Sequence, residues 1–373
     1  MANDKSVGTQ SFATTEVKKV SKKLRLAFIG TGGISSVHIS AISKIPEIEI
    51  VAGCDIKPER LEWFKQQTGC EKAKVYTDYN EMLKKEKKLD IVDVCTPNGV
   101  HCPAVIAALN AGCHTITEKP MAMDPAECKK MCAAAKKNKK LLVVGFQYRY
   151  HPSTEMCVRA REAGLLGDIM YVKVQALRRR GIPNWGVFGQ KALQGGGPMI
   201  DIGVHMIESA HYAMGEPKPV AASGNTWTFL GTKKSEVVSA WPNWDYKTYT
   251  VEDLAVGQVR FENGALMQIE SSFCNHIPED ILSWEIIGTK GGYNWSTRTL
   301  ATDMAGTMIN ATPGYLPEAN FDTTFVSKLQ NLADAILKGT PLRAPGEEGM
   351  VVQQIIDGIY RSAEKNGAEV LIK

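Results

Sequence analysis

The feature that most constrains this chain is an apolar run that breaks abruptly into glycines, LRLAFIGTGGIS at residues 24–35. An apolar run followed by a glycine turn and by apolar residues at helical spacing is typical of a strand, a tight turn and a helix. Such a turn directs backbone N–H groups and the positive end of the helix towards one point, which suits a pyrophosphate. An ordinary turn is the alternative, because the third position of the G-x-G-x-x-G pattern is Ser35. The residues expected at the phosphates are Gly30, Thr31, Gly32, Gly33 and Ile34.

A carboxylate at the end of the second apolar run strengthens the case for a dinucleotide site. The run at 48–54 ends at Asp55, 23 residues after Gly32, and a carboxylate at about this distance meets the adenosine ribose. Asp55 would accept hydrogen bonds from both ribose hydroxyls and repel a 2′-phosphate, so we expect NAD rather than NADP. The alternative is that Asp55 only caps the helix predicted to follow at 57–61.

Length and composition exclude several classes of protein. The chain has 373 residues, enough for two domains, and its net charge of +4 is too small and too dispersed for a nucleic-acid surface. No apolar stretch reaches the roughly 18 residues of a membrane span. Nine cysteines occur without zinc-site spacing, so we expect reduced thiols, no metal ion and a cytoplasmic location. Residues 1–23 are polar and are expected to form a flexible arm.

The pattern of apolar runs divides the chain at residue 145. Strands alternate with helices over residues 24–145, which predicts an α/β Rossmann domain with a parallel sheet whose ligands gather at the carboxyl ends of the strands. Residues 146–373 contain short alternating runs, with a strong hairpin signal at Asn263-Gly264. These residues are expected to form a substrate-binding and oligomerisation domain of α+β type with a mostly antiparallel sheet.

Two stretches carry groups suited to oxidation of an alcohol. Glu118-Lys119-Pro120 follows a predicted strand, and Asp201 lies four residues before His205 on a predicted helix, so that both side chains share one face. A histidine near its ordinary pKa accepts the hydroxyl proton, and Lys119 stabilises charge on the oxygen or shares that proton. The alternatives are a surface turn at 118–120 and a local pair of helix residues without a catalytic role.

The order of these motifs resembles the Gfo/Idh/MocA family of sugar and cyclitol oxidoreductases. The matching elements are the glycine turn, Glu118-Lys119-Pro120, the glycine run 195–197 and the Asp201-x-x-x-His205 spacing. The resemblance extends from Leu24 to the end of the chain. It implies a Rossmann domain and a second domain with a large open sheet that usually builds oligomer interfaces. We therefore expect NAD as cofactor, a sugar or glycoside as substrate, and a homo-oligomer formed through the second sheet.

The resemblance also implies roles for individual residues. Lys119 and His205 are expected to take part in proton transfer, and Asp201 to bind the substrate. The residues expected at the nicotinamide half of the cofactor are Thr96, Asn98, His101, Glu118 and Lys119. The residues expected at the substrate, besides the catalytic three, are Gln147, Tyr148, Arg178 and Trp185.

The substrate is predicted from the stretch that precedes the glycine run. An indole such as Trp185 is a good platform for a pyranose ring or an aglycone, whereas packing for Trp185 and solvation for the arginines at 178–180 are the alternative. The stretch 178–205 resembles family members that oxidise the 3-hydroxyl of glucosides, including bacterial enzymes that begin the deglycosylation of plant C-glycosides. The leading hypothesis is therefore oxidation of a glucoside to a 3-keto sugar.

Three other functions are compatible with the same residues. An inositol-type dehydrogenase or a reductase of anhydro- or keto-sugars would use the same acid–base groups. A glycosidase that keeps NAD bound would oxidise its sugar only transiently. A nicotinamide-sensing protein without turnover would need neither Lys119 nor His205.

Overall fold

The amino-terminal half is built on a parallel sheet joined by crossover helices. The structure is a computed structural model that describes residues 23–372, so the predicted arm over residues 1–23 lies outside the described residues except for Lys23. The strands are β1 (Leu24–Ile29), β2 (Ile48–Cys54), β3 (Lys74–Tyr76), β4 (Ile91–Val94), β5 (His114–Thr117) and β6 (Leu142–Val144). The helices are α1 (Gly33–Ile42), α2 (Pro58–Lys65), α3 (Tyr79–Lys85), α4 (Asn98–Asn110) and α5 (Pro125–Asn138).

The strand order β3-β2-β1-β4-β5-β6, with every neighbouring pair parallel, confirms the Rossmann prediction. The order reverses between β1 and β4, and a ligand crevice opens at the carboxyl ends of the strands on either side of such a reversal. The central strands form this sheet because they are largely apolar and buried on both faces, and β4 is buried at all four positions. The glycine turn, Thr96 and Glu118 all follow the strands that border the crevice.

The second half is built on a large sheet with helices against one face. Its first helices are α6 (Pro152–Glu162), α7 (Lys191–Gln194) and α8 (Val204–Ala213), with a 3₁₀ turn at Gln147–Tyr150 and a π-helical turn at Met199–Gly203. Its strands are β7 (Ile169–Leu177), β8 (Pro219–Trp227), β9 (Leu254–Phe261), β10 (Leu266–Ser272), β11 (Ile281–Gly288), β12 (Gly291–Asn294), β13 (Thr299–Met304), β14 (Thr307–Ala311) and β15 (Val370–Leu371). The last helices are α9 (Phe321–Lys338) and α10 (Gly346–Ala363).

This sheet confirms the prediction of a mostly antiparallel, open second sheet. Its order is β14-β13-β12-β11-β7-β10-β9-β8-β15, and within residues 23–372 the parallel neighbours are β7 and β10. The core lies between the sheet and α8, where the indole N–H of Trp284 donates to Ser209 Oγ at 2.9 Å. The Asn263-Gly264 turn joins β9 to β10 as the sequence predicts.

The two halves are joined by the last helices, which pack against both of them. α9 packs on α1, and α10 packs on both α5 and β8. The chain also returns to the first sheet before α10, where the Val144 N–H donates to the Ala344 carbonyl at 3.0 Å. The division of the chain at residues 145 and 146 therefore stays a prediction. Among residues 23–372, no helix combines the length and apolar character needed to span a membrane.

Three local features differ from the sequence-based expectations. The ladder of β12, β13 and β14 was not predicted, because its residues are largely exposed and do not alternate. α4 begins at Asn98 and runs through Pro103, although sequence patterns place proline at the start of a helix rather than inside it. The helix predicted from Pro198 to His211 starts with the π-helical turn, so that Asp201 and His205 do not lie on one regular α-helix.

Candidate active site

The glycine turn after β1 leaves space where a pyrophosphate fits. Gly30 has φ +89°, and a Cβ there would lie 2.7 Å from the carbonyl carbon of Cys95, so only glycine is tolerated. A Cβ on Gly32 or Gly33 would meet no atom within 4 Å among the described residues. α1 begins at Gly33 with no capping side chain and no acidic residue in its first turn, which leaves its N–H groups free for an anion.

Asp55 links the glycine turn to the end of β2. Its Oδ2 accepts a hydrogen bond from the Thr31 N–H at 2.9 Å and another from the Thr31 hydroxyl at 3.2 Å. Its Oδ1 accepts from the Lys57 N–H at 3.0 Å, so the carboxylate also shapes the start of α2. These contacts hold the carboxylate beside the glycine turn, where we expect the adenosine ribose of NAD.

The residues after β4 form the next part of the crevice wall. Thr96 Oγ1 is buried and has no hydrogen-bond partner among the described residues, so it is available to a ligand. Asn98 donates from Nδ2 to the Gln194 carbonyl at 2.9 Å and so ties α4 to α7. Both ring nitrogens of His101 lie 2.9 Å from carbonyl oxygens, those of Pro120 and Thr96. His101 therefore braces the two loops and has no free ring nitrogen for a ligand.

Lys119 and Asp201 meet across the crevice. The Lys119 ammonium donates to Asp201 Oδ1 at 2.9 Å and to the Asp201 carbonyl at 2.7 Å. Their side chains remain 16% and 14% exposed, so the pair is accessible from the crevice. The structure thus brings together two predicted residues that are 82 positions apart in the sequence.

His205 completes this group at the start of α8. Its Nδ1 is buried and has no hydrogen-bond partner within the described part of the chain, and the ring lies edge-on to Tyr148 at 5.3 Å. Burial and the neighbouring Lys119 charge hold the pKa of His205 well below its usual value. The imidazole is therefore neutral at physiological pH and can accept a proton.

The glycine run 195–197 allows the chain to approach this site closely. Gly195 has φ +84°, and a Cβ on Gly196 would collide with the hydroxyl of Tyr360. The π-helical turn that follows is held from the second sheet, because the Ser271 hydroxyl donates to the Pro198 carbonyl at 2.8 Å. π-Helical turns are frequent at functional sites, and this one presents Asp201 to Lys119.

The outer part of the site is aromatic. Trp185 is 49% exposed and lies edge-on to Trp241 at 4.8 Å. The Arg178 guanidinium lies 4.8 Å from the ring centre of Trp241, and Asp201 is the largest charged influence on its pKa. Arg179 and Arg180 are held instead by residues 274–280, away from this group.

The two predicted substrate residues after β6 differ in their environment. Tyr148 lies beside His205, whereas Gln147 is almost fully buried. Tyr148 contacts His205, and burial raises the pKa of its hydroxyl. Gln147 is 3% exposed, and its Oε1 is buried without a hydrogen-bond partner among residues 23–372. Both belong to the 3₁₀ turn that packs against α8.

Comparisons with known proteins agree with this arrangement. Residues 24–146 match the Gfo/Idh/MocA oxidoreductase family model described as an NAD-binding Rossmann fold, and residues 162–371 match the C-terminal alpha/beta domain of the same family. The chain belongs to the Gfo/Idh/MocA oxidoreductase family. It is therefore an NAD-dependent oxidoreductase of CH–OH groups, and NAD is its cofactor.

Individual relatives give the family match more detail. The chain is 35% identical to D-glucoside 3-dehydrogenase of Escherichia coli over 347 residues, which cover 92% of this chain and 96% of that protein. It is 27% identical to levoglucosan dehydrogenase of Pseudarthrobacter phenanthrenivorans, over 74% of this chain and 75% of that one. A structure of levoglucosan dehydrogenase in complex with NADH and levoglucosan superposes with a TM-score of 0.79, at 26% identity, over 94% of this chain and 100% of that chain.

Sequence reasoning missed a buried ionic network beneath this family's Glu-Lys-Pro turn. His38 lies 2.6 Å from Asp93 through Nδ1 and 2.9 Å from Glu118 Oε1 through Nε2. Lys328, from α9, donates to Glu118 Oε1 at 2.8 Å and is fully buried. The Lys328 ammonium and the His38 ring offset burial and hold the pKa of Glu118 well below its usual value.

A signal for this network was present in the sequence. Lys328 lies on the same helical stripe as Phe325, Leu329 and Leu332, all of which are buried. A lysine inside the apolar stripe of an amphipathic helix predicts a buried partner of opposite charge. Glu118 is that partner, and its carboxylate is only 4% exposed. Its predicted place at the nicotinamide stays a prediction, because the carboxylate is already bonded within the network.

Proposed function

We propose that this protein oxidises the 3-hydroxyl of a glucoside, C-glycosides included, to a ketone with NAD. The observation that carries the proposal is the meeting of Lys119, Asp201 and His205 at the edge of the cofactor crevice. The 35% identity to a D-glucoside 3-dehydrogenase over 92% of the chain supports the choice of hydroxyl.

In the proposed reaction His205 is the base. NAD, when bound, would supply the acceptor for the hydride of the substrate C–H bond. The O–H bond breaks with transfer of the proton to the neutral imidazole. The lowered pKa of His205 keeps the ring ready to accept that proton. Lys119 donates a hydrogen bond to the reacting oxygen and stabilises its negative charge as the proton leaves.

Asp201 has two functions in this proposal. It orients the Lys119 ammonium through their 2.9 Å contact, and it accepts a hydrogen bond from a neighbouring sugar hydroxyl. The remaining oxygen, Oδ2, makes no hydrogen bond to another described residue and is available for the sugar. We propose that Gln147, Tyr148 and Arg178 surround the sugar, and that Trp185 supports the aglycone or the outer ring face.

The cofactor residues follow from the same geometry. The first turn of α1 and the space over Gly32 and Gly33 receive the pyrophosphate, and Ile34 begins the helix behind it. Asp55 receives the adenosine ribose, and the Thr96 hydroxyl, which has no partner among the described residues, faces the nicotinamide half. Asn98 and His101 position the loops that line this half.

We also propose a cytoplasmic homo-oligomer formed through the second sheet. Tyr171 and Ile287 are cross-strand partners on the side of β7 and β11 that faces away from α8. Light scattering would give a molar mass of a dimer or larger, and Tyr171→Glu would lower it. A monomer at micromolar concentration would contradict this part of the proposal.

The test of the reaction is a substrate profile followed by NADH absorbance. We expect NADH from methyl and aryl glucosides, with a 3-keto product identified by mass spectrometry after borodeuteride reduction. NADH from cyclitols alone would assign an inositol-type dehydrogenase, as the matching myo-inositol 2-dehydrogenase of Thermotoga maritima is named. Turnover seen only with anhydro- or keto-sugars would assign that class of enzyme, and release of free sugar without net NADH would assign a glycosidase.

A further inference from the structure

A second cluster of ligating groups lies at the far end of α8, away from the catalytic residues. It consists of His211 on α8, Glu216 in the following loop and Glu348 in the first turn of α10. One ligand atom from each of these residues lies within 4.8 Å of the other two. Three separate elements therefore converge on one point that the proposed reaction does not use.

His211 has one ring nitrogen without a hydrogen-bond partner among the described residues. Its Nε2 lies 2.8 Å from the Pro217 carbonyl and must carry the ring proton, whereas Nδ1 is buried and has no hydrogen-bond partner in residues 23–372. The residue is fully buried, and its ring stacks on Phe261. Histidines that bind metals usually donate their second nitrogen to a carbonyl or carboxylate in this way, which fixes the ring orientation.

The charges around the cluster favour a further cation. Arg149 is fully buried and contacts Glu208 at 2.9 Å and Glu216 at 2.7 Å, while Glu348 hydrogen-bonds to Glu216. Three carboxyl groups thus surround one guanidinium group. Arg149 orients Glu216, as residues behind a metal ligand do, while among the described residues Glu348 forms no ion pair with a cation.

The cluster is also open to entry from solvent. Glu216 and Glu348 line a cavity of about 610 Å³ that is large enough for water molecules to complete a coordination sphere. The other candidate cluster, His38 with Asp93 and Cys95, has no such opening, because both His38 nitrogens are already bonded and Lys328 closes it.

We propose that His211, Glu216 and Glu348 bind a divalent transition-metal cation of the zinc class. Imidazole nitrogen and carboxylate oxygen are both ligand types that zinc accepts, and water would complete a four-coordinate site. The cation would join the end of α8 to α10 and to the loop that follows α8. Its role is structural, since His211 lies in the last turn of α8, whereas His205 lies in the first turn.

The test uses the full-length protein after treatment with EDTA and gel filtration. Titration with ZnCl₂ in a calorimeter should give one site per chain and raise the melting temperature. Glu348→Gln and His211→Gln should each lose about 100-fold or more in zinc affinity, because even residues that only orient a ligand contribute 10–100-fold. Glu155→Gln is the control, since Glu155 lines the same cavity but pairs with Arg343.

Cobalt(II) provides a second measurement on the unmodified protein. Weak visible bands without a thiolate charge-transfer band would agree with nitrogen and oxygen ligands. A thiolate band would show that the metal binds cysteines and would overturn the proposal. This measurement uses no variant, so its outcome does not depend on whether a variant folds. No stoichiometric zinc on the unmodified protein, or equal affinity in Glu348→Gln and Glu155→Gln, would also overturn it.

Discussion

Glu118 and Lys119 are neighbours in the sequence but lie in opposite environments. The Glu118 carboxylate lies beneath the crevice, where His38 and Lys328 are bonded to it at 2.9 and 2.8 Å. The Lys119 ammonium points into the crevice, where its contact with Asp201 remains partly exposed. Near it, His205 Nδ1 has no hydrogen-bond partner among the described residues.

The difference lies in how completely each group of charges is satisfied. In the buried network each charged group has a close partner of opposite charge or a hydrogen bond, and such networks make a structure rigid. In the crevice His205, the proposed base, has no partner for Nδ1 among the described residues and has a pKa lowered by burial, which is typical of functional sites. One side of the Glu-Lys-Pro turn therefore stabilises the fold while the other is left free to react.

The largest effect is expected from Lys328→Met, which removes the ammonium group of the buried network. Removing the ammonium leaves Glu118 and Asp93 with His38 as their remaining cation in the network. Breaking a buried ion pair costs about 3–5 kcal/mol, and we expect a loss of this size in the free energy of unfolding. Urea denaturation measures it, and a loss below about 1 kcal/mol would mean that the network does not stabilise the fold.

Lys119→Met removes the ammonium group in the crevice and should lower turnover rather than stability. In the proposed reaction Lys119 stabilises the charge on the reacting oxygen, so we expect kcat to fall by about 100-fold or more, with little change in the free energy of unfolding. Steady-state NADH formation and urea denaturation on the same samples separate the two effects. A fall of less than about tenfold in kcat would place Lys119 outside the chemistry.

Sequence patterns predicted the candidate residues in the crevice but missed Lys328 and His38 in the buried network. Lys119, Asp201 and His205 were found because each belongs to a short motif. Lys328 and His38 were missed because each is a single polar residue within a helix, and their partner Glu118 lies 210 and 80 residues away. Only the folded chain brings such residues together.

The same distinction applies to the fold. Most strands of the first sheet were predicted because they are short, largely apolar runs, such as β1 and β6, with glycine or proline nearby. The π-helical turn at 199–203 was not, because it depends on the contact of Ser271 with Pro198. The ladder β12–β14 was missed because few of its residues are buried, so that its sequence carries no alternation.

Gly32→Ala and Gly30→Ala separate cofactor binding from folding at the glycine turn. A Cβ on Gly32 meets no protein atom within 4 Å but would occupy the space of the pyrophosphate, so we expect the Kd for NAD to rise about tenfold without a change in stability. A Cβ on Gly30 would collide with the Cys95 carbonyl group, so this variant should lose stability. Fluorescence titration with NADH and thermal melting provide the two readouts. Unchanged NAD affinity in Gly32→Ala would remove the pyrophosphate from this turn.

Trp185→Ala should give a smaller effect, confined to substrate binding. Trp185 is 49% exposed and lies beside Trp241, and no contact of Trp185 with Lys119 or His205 occurs among the described residues. We expect the KM for an aryl glucoside to rise about fivefold while kcat changes less than about twofold, as for a contact made equally in ground and transition states. A loss confined to kcat would contradict a role in the outer subsite.

The smallest effect concerns pH. A histidine with its ordinary pKa of 6.5 would be half protonated at pH 6.5, whereas burial and Lys119 lower the pKa of His205. Since only the neutral ring accepts the proton, kcat/KM for oxidation should stay nearly constant between pH 7.5 and 6.5, where a pKa of 6.5 would lower it by about 1.8-fold, and should decline only at lower pH. A fall of kcat/KM on the acid side with its midpoint at or above pH 7 would exclude His205 as the base.

The most direct test of the account is a single-turnover measurement with methyl glucoside deuterated at carbon 3. The account predicts that deuterium appears in NADD, that its transfer is slower than that of hydrogen, and that His205→Asn slows the transfer by about 100-fold with unchanged NAD affinity. Deuterium retained in the sugar, or equal transfer rates in His205→Asn and the unmodified protein, would contradict it.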